Sequence, residues 1–110
     1  MSLDVHLYTE IDQNRIELFD TNITHNLGGM ASEADIYTVL WRIENTGVKT
    51  AKDMIKPLMK GITAMKKDPE RFRKFDAPNG WGTYDQFLPW LEELLSMCEK
   101  FPSAEVETCR

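Results

Sequence analysis

Leu3, Val5, Leu7, Thr9 and Ile11 alternate with Asp4, His6, Tyr8 and Glu10 along the start of the chain. A period of two sends successive side chains to opposite faces, so this segment predicts a half-buried strand with its odd positions inward. Asp12-Gln13-Asn14 is turn chemistry, and Arg15 to Phe19 resumes the alternation, giving a hairpin over residues 3–19. A lone hairpin is marginal in water, so it needs helices to pack on.

The period then changes. Ile23, Leu27, Met30, Ala34, Tyr37 and Trp41 recur at steps of three and four, which predicts an amphipathic helix capped by a residue among Asp20, Thr21, Asn22 and Thr24. Gly28-Gly29 weakens it and marks a place for a break. After the loop Asn45-Thr46-Gly47, Ala51, Ile55, Leu58, Ile62 and Met65 form a second helical stripe. Thr50 and Asp53 resemble a capping box at its start, and Pro57 inside it predicts a kink. Pro69 can open a short helical turn carrying Phe72 and Phe75. Asp76 to Gly82 reads as an irregular loop. Thr83 and Gln86 then cap a last helix with the stripe Phe87, Leu91, Leu94 and Cys98. Ala104, Val106 and Thr108 alternate with Glu105, Glu107 and Cys109 as a terminal strand.

The expected architecture is therefore α+β: three main helical segments packed on a short antiparallel sheet, made from the N-terminal hairpin and a C-terminal strand. A chain of 110 residues fits one domain, residues 1–110, and no internal repeat divides it. A net charge of −5 argues against an extended nucleic-acid footprint or an anionic membrane partner. The cluster from Lys66 to Lys74 is the one basic stretch; carboxylates interrupt it, so it reads as solvated surface. The first residues lack the features of a secretory signal, and no stretch is long and apolar enough for a bilayer span. With two cysteines and no Cys-x-x-Cys, a reduced cytoplasmic setting is expected.

Several of these segments also resemble a family of small proteins from phage and bacterial genomes. The resemblance rests on Asn22-Ile23-Thr24-His25-Asn26-Leu27, Met30-Ala31, Ile36-Tyr37, Leu40-Trp41-Arg42, Ile55-Lys56-Pro57-Leu58 and Asp68-Pro69-Glu70-Arg71-Phe72. It continues through Asn79-Gly80-Trp81-Gly82-Thr83-Tyr84 and the tail Pro102-Ser103-Ala104-Glu105-Val106, covering residues 20–110. It implies a cytoplasmic phage or bacterial protein and brings no activity, ligand or functional residue with it.

Two segments carry the candidate chemistry. On a helix, Asn22, His25 and Asn26 would share one face at steps of three and four, beside Thr24. At a helix start they would offer amides, an imidazole and free backbone N–H groups to an anion or a planar polar ligand. Ordinary capping, with His25 bonded to a loop carbonyl, is the competing reading. In Asn79-Gly80-Trp81-Gly82, the glycines allow a close chain approach. Trp81 either folds onto Phe72 and Phe75 or walls a pocket shared with His25. The ligand-binding set is then Asn22, Thr24, His25, Asn26 and Trp81, and if it serves a ligand, removing His25 or Asn26 should scarcely change stability.

Catalytic patterns are sparse. There are two histidines, no Cys/His zinc spacing and no phosphate-binding glycine loop, so neither a metal nor a cofactor is expected. Cys98 on an apolar stripe makes a poor nucleophile. The residues favour a non-enzymatic binding module for a small polar molecule, such as a nucleotide, or for a protein partner. The alternatives are a small enzyme using His25 as general acid or base, and a regulatory interaction module without a pocket. Homo-oligomerisation stays open.

Overall fold

A computed structural model describes all 110 residues. Strands β1 (Ser2–Ile11) and β2 (Asn14–Thr24) form the hairpin, joined through Asp12 and Gln13 with φ of 51° and 67°. Two consecutive left-handed residues make the primed turn whose twist matches the flanking strands. Leu3, Val5 and Leu7 are fully buried, as the alternation requires. Leu7 pairs with Phe19 and Tyr8 with Glu17, so Leu18 is the extra residue of a bulge. The bulge changes the parity of β2: Ile16 points inward before it, and Phe19, Thr21 and Ile23 after it.

β2 continues to Thr24, beyond the expected end of the hairpin at Phe19. Residues 20–24 are therefore strand, where a helix start was expected. Thr21 and Ile23 pair with Val5 and Leu3, so burial on the sheet takes precedence over the four-residue step from Ile23 to Leu27. The Thr24 hydroxyl accepts the Asn26 N–H and opens a 3-10 turn, His25–Leu27. Helix α1 (Gly28–Glu33) starts at the glycine pair, where a break had been expected. It ends at Asp35, φ 61°, with Asp35 N–H donating to the Ser32 carbonyl and Ile36 N–H to that of Ala31. This is a Schellman stop with Asp in the left-handed position, and both Ala31 and Ile36 are buried in the core. Helix α2 (Tyr37–Trp41) follows. The expected continuous helix is thus two short ones.

Helix α3 (Lys52–Lys67) runs on through Pro57 without interruption. Its first N–H groups are taken by the chain end: Ala51 donates to the Ala104 carbonyl and Lys52 to that of Pro102. The Asp53 carboxylate accepts the N–H groups of Lys49 and Thr50, the acidic half of the expected box. Helix α4 (Pro69–Arg73) begins at its proline, and α5 (Tyr84–Lys100) carries the full Thr83/Gln86 capping box.

Strand β3 (Glu105–Cys109) pairs antiparallel with β1, giving the order β2-β1-β3. The fold is α+β with five α-helices: the first expected segment splits into α1 and α2, α3 and α5 are the other two, and α4 is the short turn at Pro69. Met54, Leu58, Ile62 and Met65 of α3 pack with Phe87, Leu91, Leu94 and Cys98 of α5 in the core that covers the inner sheet face. Gly61 lets α3 approach the α1–α2 link, where a Cβ would stand 2.6 Å from Ile36 Cγ2. Trp90 Nε1 donates to Thr21 Oγ1 at 2.8 Å and ties α5 to β2. No helix is long and apolar enough to cross a membrane.

Candidate functional site

The shared helical face expected for Asn22, His25 and Asn26 does not form, because each lies in different local structure. Asn22 is exposed on β2, paired with Asp4 on the outer face of the sheet. Thr24 uses its hydroxyl as a cap. The His25 ring turns the other way, and its Nδ1 accepts the indole N–H of Trp41 at 2.8 Å. Trp41 is only 4% exposed and stacks on Tyr37, with ring centroids 5.5 Å apart. Arg110 closes the far side by donating to the Trp41 carbonyl and to Glu44.

That hydrogen bond fixes the chemistry of His25. A neutral imidazole accepting at Nδ1 carries its proton on Nε2, so no ring lone pair is left to serve as a general base. Neither ring nitrogen can take a substrate proton without giving up the buried indole. The Cys98 thiol is no better a nucleophile, since burial pushes it up to about 12.

Asn26 reaches the second segment. Its Nδ2 donates to the Trp81 carbonyl at 2.8 Å. Gly82, φ 113°, sits so close to this turn that a Cβ would lie 3.1 Å from both Asn26 Cβ and Thr24 Cγ2. Here glycine is required by backbone angle and by space together. The rest of the loop is braced from the other side. Gln86 donates to the Gly80 carbonyl and accepts the N–H groups of Gly82 and Thr83. Asn79 Oδ1 accepts the Trp81 N–H, the Ala77 N–H donates to the Gly82 carbonyl, and Asp76 Oδ1 accepts the Tyr84 N–H.

The two segments therefore adjoin, but through Asn26 and backbone groups. No cavity opens between them. The Trp81 indole neither folds onto Phe72 and Phe75 nor walls a pocket with His25; it stands 71% exposed at the crest of the loop. Phe75, 39% exposed, lies against Gly29 at the start of α1. The nearby basic cluster is largely neutralised, with Arg71 on Glu33, Arg73 on Asp85 and Lys66 on Glu92.

Sequence reasoning missed one grouping. His6, Glu107 and Cys109 come together on the outer face of the sheet, where their ligand-type atoms lie within 4.8 Å of one another. Alternation alone shows that each faces outward. Their adjacency follows from β3 docking beside β1, with His6 opposite Glu107.

No protein-family model matches the chain, and neither the curated proteins nor the solved structures provide a match.

Proposed function

We propose that this protein is a non-enzymatic binding module that engages a protein partner through an open surface centred on Trp81. The observation that carries this reading is an exposed indole on an immobilised backbone. An ordinary mobile loop would lose conformational freedom on docking. Here the fold has already ordered the backbone, through Asn26, Asn79 and Gln86. Tryptophan is also the side chain most enriched among residues that dominate interface energies, because it removes a large amphipathic area from water with few rotatable bonds. Asn26 and Thr24 take part as supports that aim the loop, and His25 as a support for Trp41.

The test compares wild type with Trp81→Ala. The substitution removes a side chain that already faces solvent, so urea melts should place the variant within about 0.5 kcal/mol of wild type. Quantitative affinity capture with both proteins, followed by titration of the purified captured protein, should show wild-type binding lost at least tenfold in the variant. Acrylamide quenching of tryptophan fluorescence should fall when that partner is added. Equal binding by both proteins would refute the assignment. So would native mass spectrometry showing a retained small molecule whose occupancy does not depend on Trp81.

A further inference from the structure

The outer face of the sheet is polar and anionic. Asp4, Asp20, Glu17, Glu105 and Glu107 all project from it by register, facing the single cation Arg15. His6 lies in the middle, flanked by Asp20 on β2 and Glu107 on β3. Its Nδ1 is shut off from solvent and makes no hydrogen bond; the nearest carboxylate oxygen, Glu17 Oε2, is 3.5 Å away. The ring as a whole is a quarter exposed, yet this shielded nitrogen stops at the edge of hydrogen-bond reach of a carboxylate, which calls for a physical reason.

We propose that His6, Glu107 and Cys109 form a binding site for a zinc-class divalent transition metal, with His6 Nε2, a Glu107 oxygen and the Cys109 thiolate as ligands. Nitrogen, sulfur and carboxylate donors together suit zinc and its neighbours, whereas calcium and magnesium call for oxygen alone. Three protein ligands leave the fourth tetrahedral position for water or an incoming group. Bonds of about 2.0–2.3 Å put ligand atoms roughly 3–4 Å apart. The present spread, within 4.8 Å, is close to this, and the exposed Cys109 near the strand end leaves its side chain room to turn.

The unpartnered nitrogen then has a purpose. With Nε2 on the metal, Nδ1 carries the proton and points it at Glu17. That is the arrangement in which a carboxylate orients a ligating histidine. Arg15 holds Glu107 Oε1 at 3.0 Å and fixes the carboxylate while leaving Oε2 free. This site departs from the expectation of no metal, which rested on linear spacing. It is also independent of the Trp81 surface.

The test is titration of the reduced full-length protein with Co2+ alone and with Zn2+ alone. Co2+ should give one saturable equivalent with a tetrahedral visible spectrum and a near-ultraviolet thiolate charge-transfer band, and Zn2+ should displace it. Cys109→Ser should abolish the thiolate band, while Cys98→Ala keeps it. His6→Ala should weaken Zn2+ at least tenfold, and Glu17→Gln by roughly 10–100-fold, as for other groups that orient a ligand. Far-UV circular dichroism checks that each variant is folded, and Cys109→Ala stands in should the serine variant fail. The proposal is overturned if Co2+ shows only an octahedral, oxygen-type spectrum. It is equally overturned if Cys109→Ser keeps the band, or if His6→Ala binds Zn2+ as wild type does.

Discussion

Replacing His25 by alanine tests which of two roles that residue has. The Trp41 indole N–H is buried, with the side chain 4% exposed, and its acceptor is His25 Nδ1 at 2.8 Å. Alanine removes the acceptor and leaves the donor in place, so the full desolvation penalty of that N–H falls on the folded state, about 1–3 kcal/mol. Some packing of the half-buried imidazole is lost as well. At about 4–8 °C per kcal/mol for a domain near this size, the melting temperature should fall by at least about 4 °C. Trp41→Phe removes the donor instead, and combining it with His25→Ala leaves no orphan. A double-mutant cycle in urea, followed by circular dichroism, should therefore return a coupling of about 0.5–3 kcal/mol. A ligand-binding role for His25 would have made its loss thermally silent, and this geometry points instead to the structural role that the sequence also offered. If His25→Ala stays within about 0.5 kcal/mol of wild type, or the cycle shows no coupling, the hydrogen bond does not hold the fold together.

Three further outcomes test the packing and the caps. Leu91 is fully buried between α3 and the sheet, so Leu91→Ala should cost about 2–5 kcal/mol in denaturant melts; a loss below about 1 kcal/mol would contradict its placement. At Gly61 the added methyl of alanine would meet Ile36 Cγ2 at 2.6 Å and the Ala34 carbonyl at 3.3 Å. The strain, about 1–3 kcal/mol, should outweigh the roughly 1 kcal/mol of helix propensity gained, so a stabilised Gly61→Ala would refute the close approach. Asp53 is held below the usual carboxylate range by the N–H groups of Lys49 and Thr50, which stabilise its charged form. A lowered folded-state value means its stabilisation is present above the unfolded value and fades as pH falls through the folded one. Asp53→Asn should therefore be less stable than wild type at neutral pH and converge with it as pH falls below the folded-state value, in urea melts across the acid range; a constant gap would sink the reading.

Where one face of an element is buried, the sequence could be read. The odd positions of β1, the stripes of α3 and α5 and the Thr83/Gln86 box all follow from local period and capping chemistry. The stretch from Asp20 to Trp41 misled because two periods overlap in it. Thr21 and Ile23 continue the strand at a step of two, yet Ile23, Leu27 and Met30 also fit steps of four and three. Only the pairing with Leu3 and Val5 decides between them. The stop at Asp35 is hidden for a related reason. Asp in a left-handed position costs more than glycine, and the two closing backbone bonds, with Ile36 buried in the core, make it tolerable. The adjacent pair Leu18-Phe19 was the one visible trace of the bulge.

The functional surfaces were harder to read, since a strand's period assigns a face and says nothing about neighbours. His6, Glu107 and Cys109 can each be placed outward from alternation, but their grouping depends on which edge of the hairpin β3 joins. On the β1 edge, Glu107 stands opposite His6, with Cys109 one step along the same face. On the β2 edge, that side of His6 would be bare, and the same cysteine and glutamate would sit beyond the row of Asn22, Asp20 and Glu17. What selects the β1 edge is long-range. Ala51 and Lys52 at the start of α3 need acceptors, and the carbonyls of Ala104 and Pro102 supply them, drawing the chain end across the helix start and alongside β1. Trp81 was legible to the opposite degree. Its segment stood out, and Gly82 does serve the close approach that glycine allows. The direction of the indole follows instead from Asn26 and Gln86 binding the loop backbone from both sides, which leaves the side chain facing away from the body it decorates.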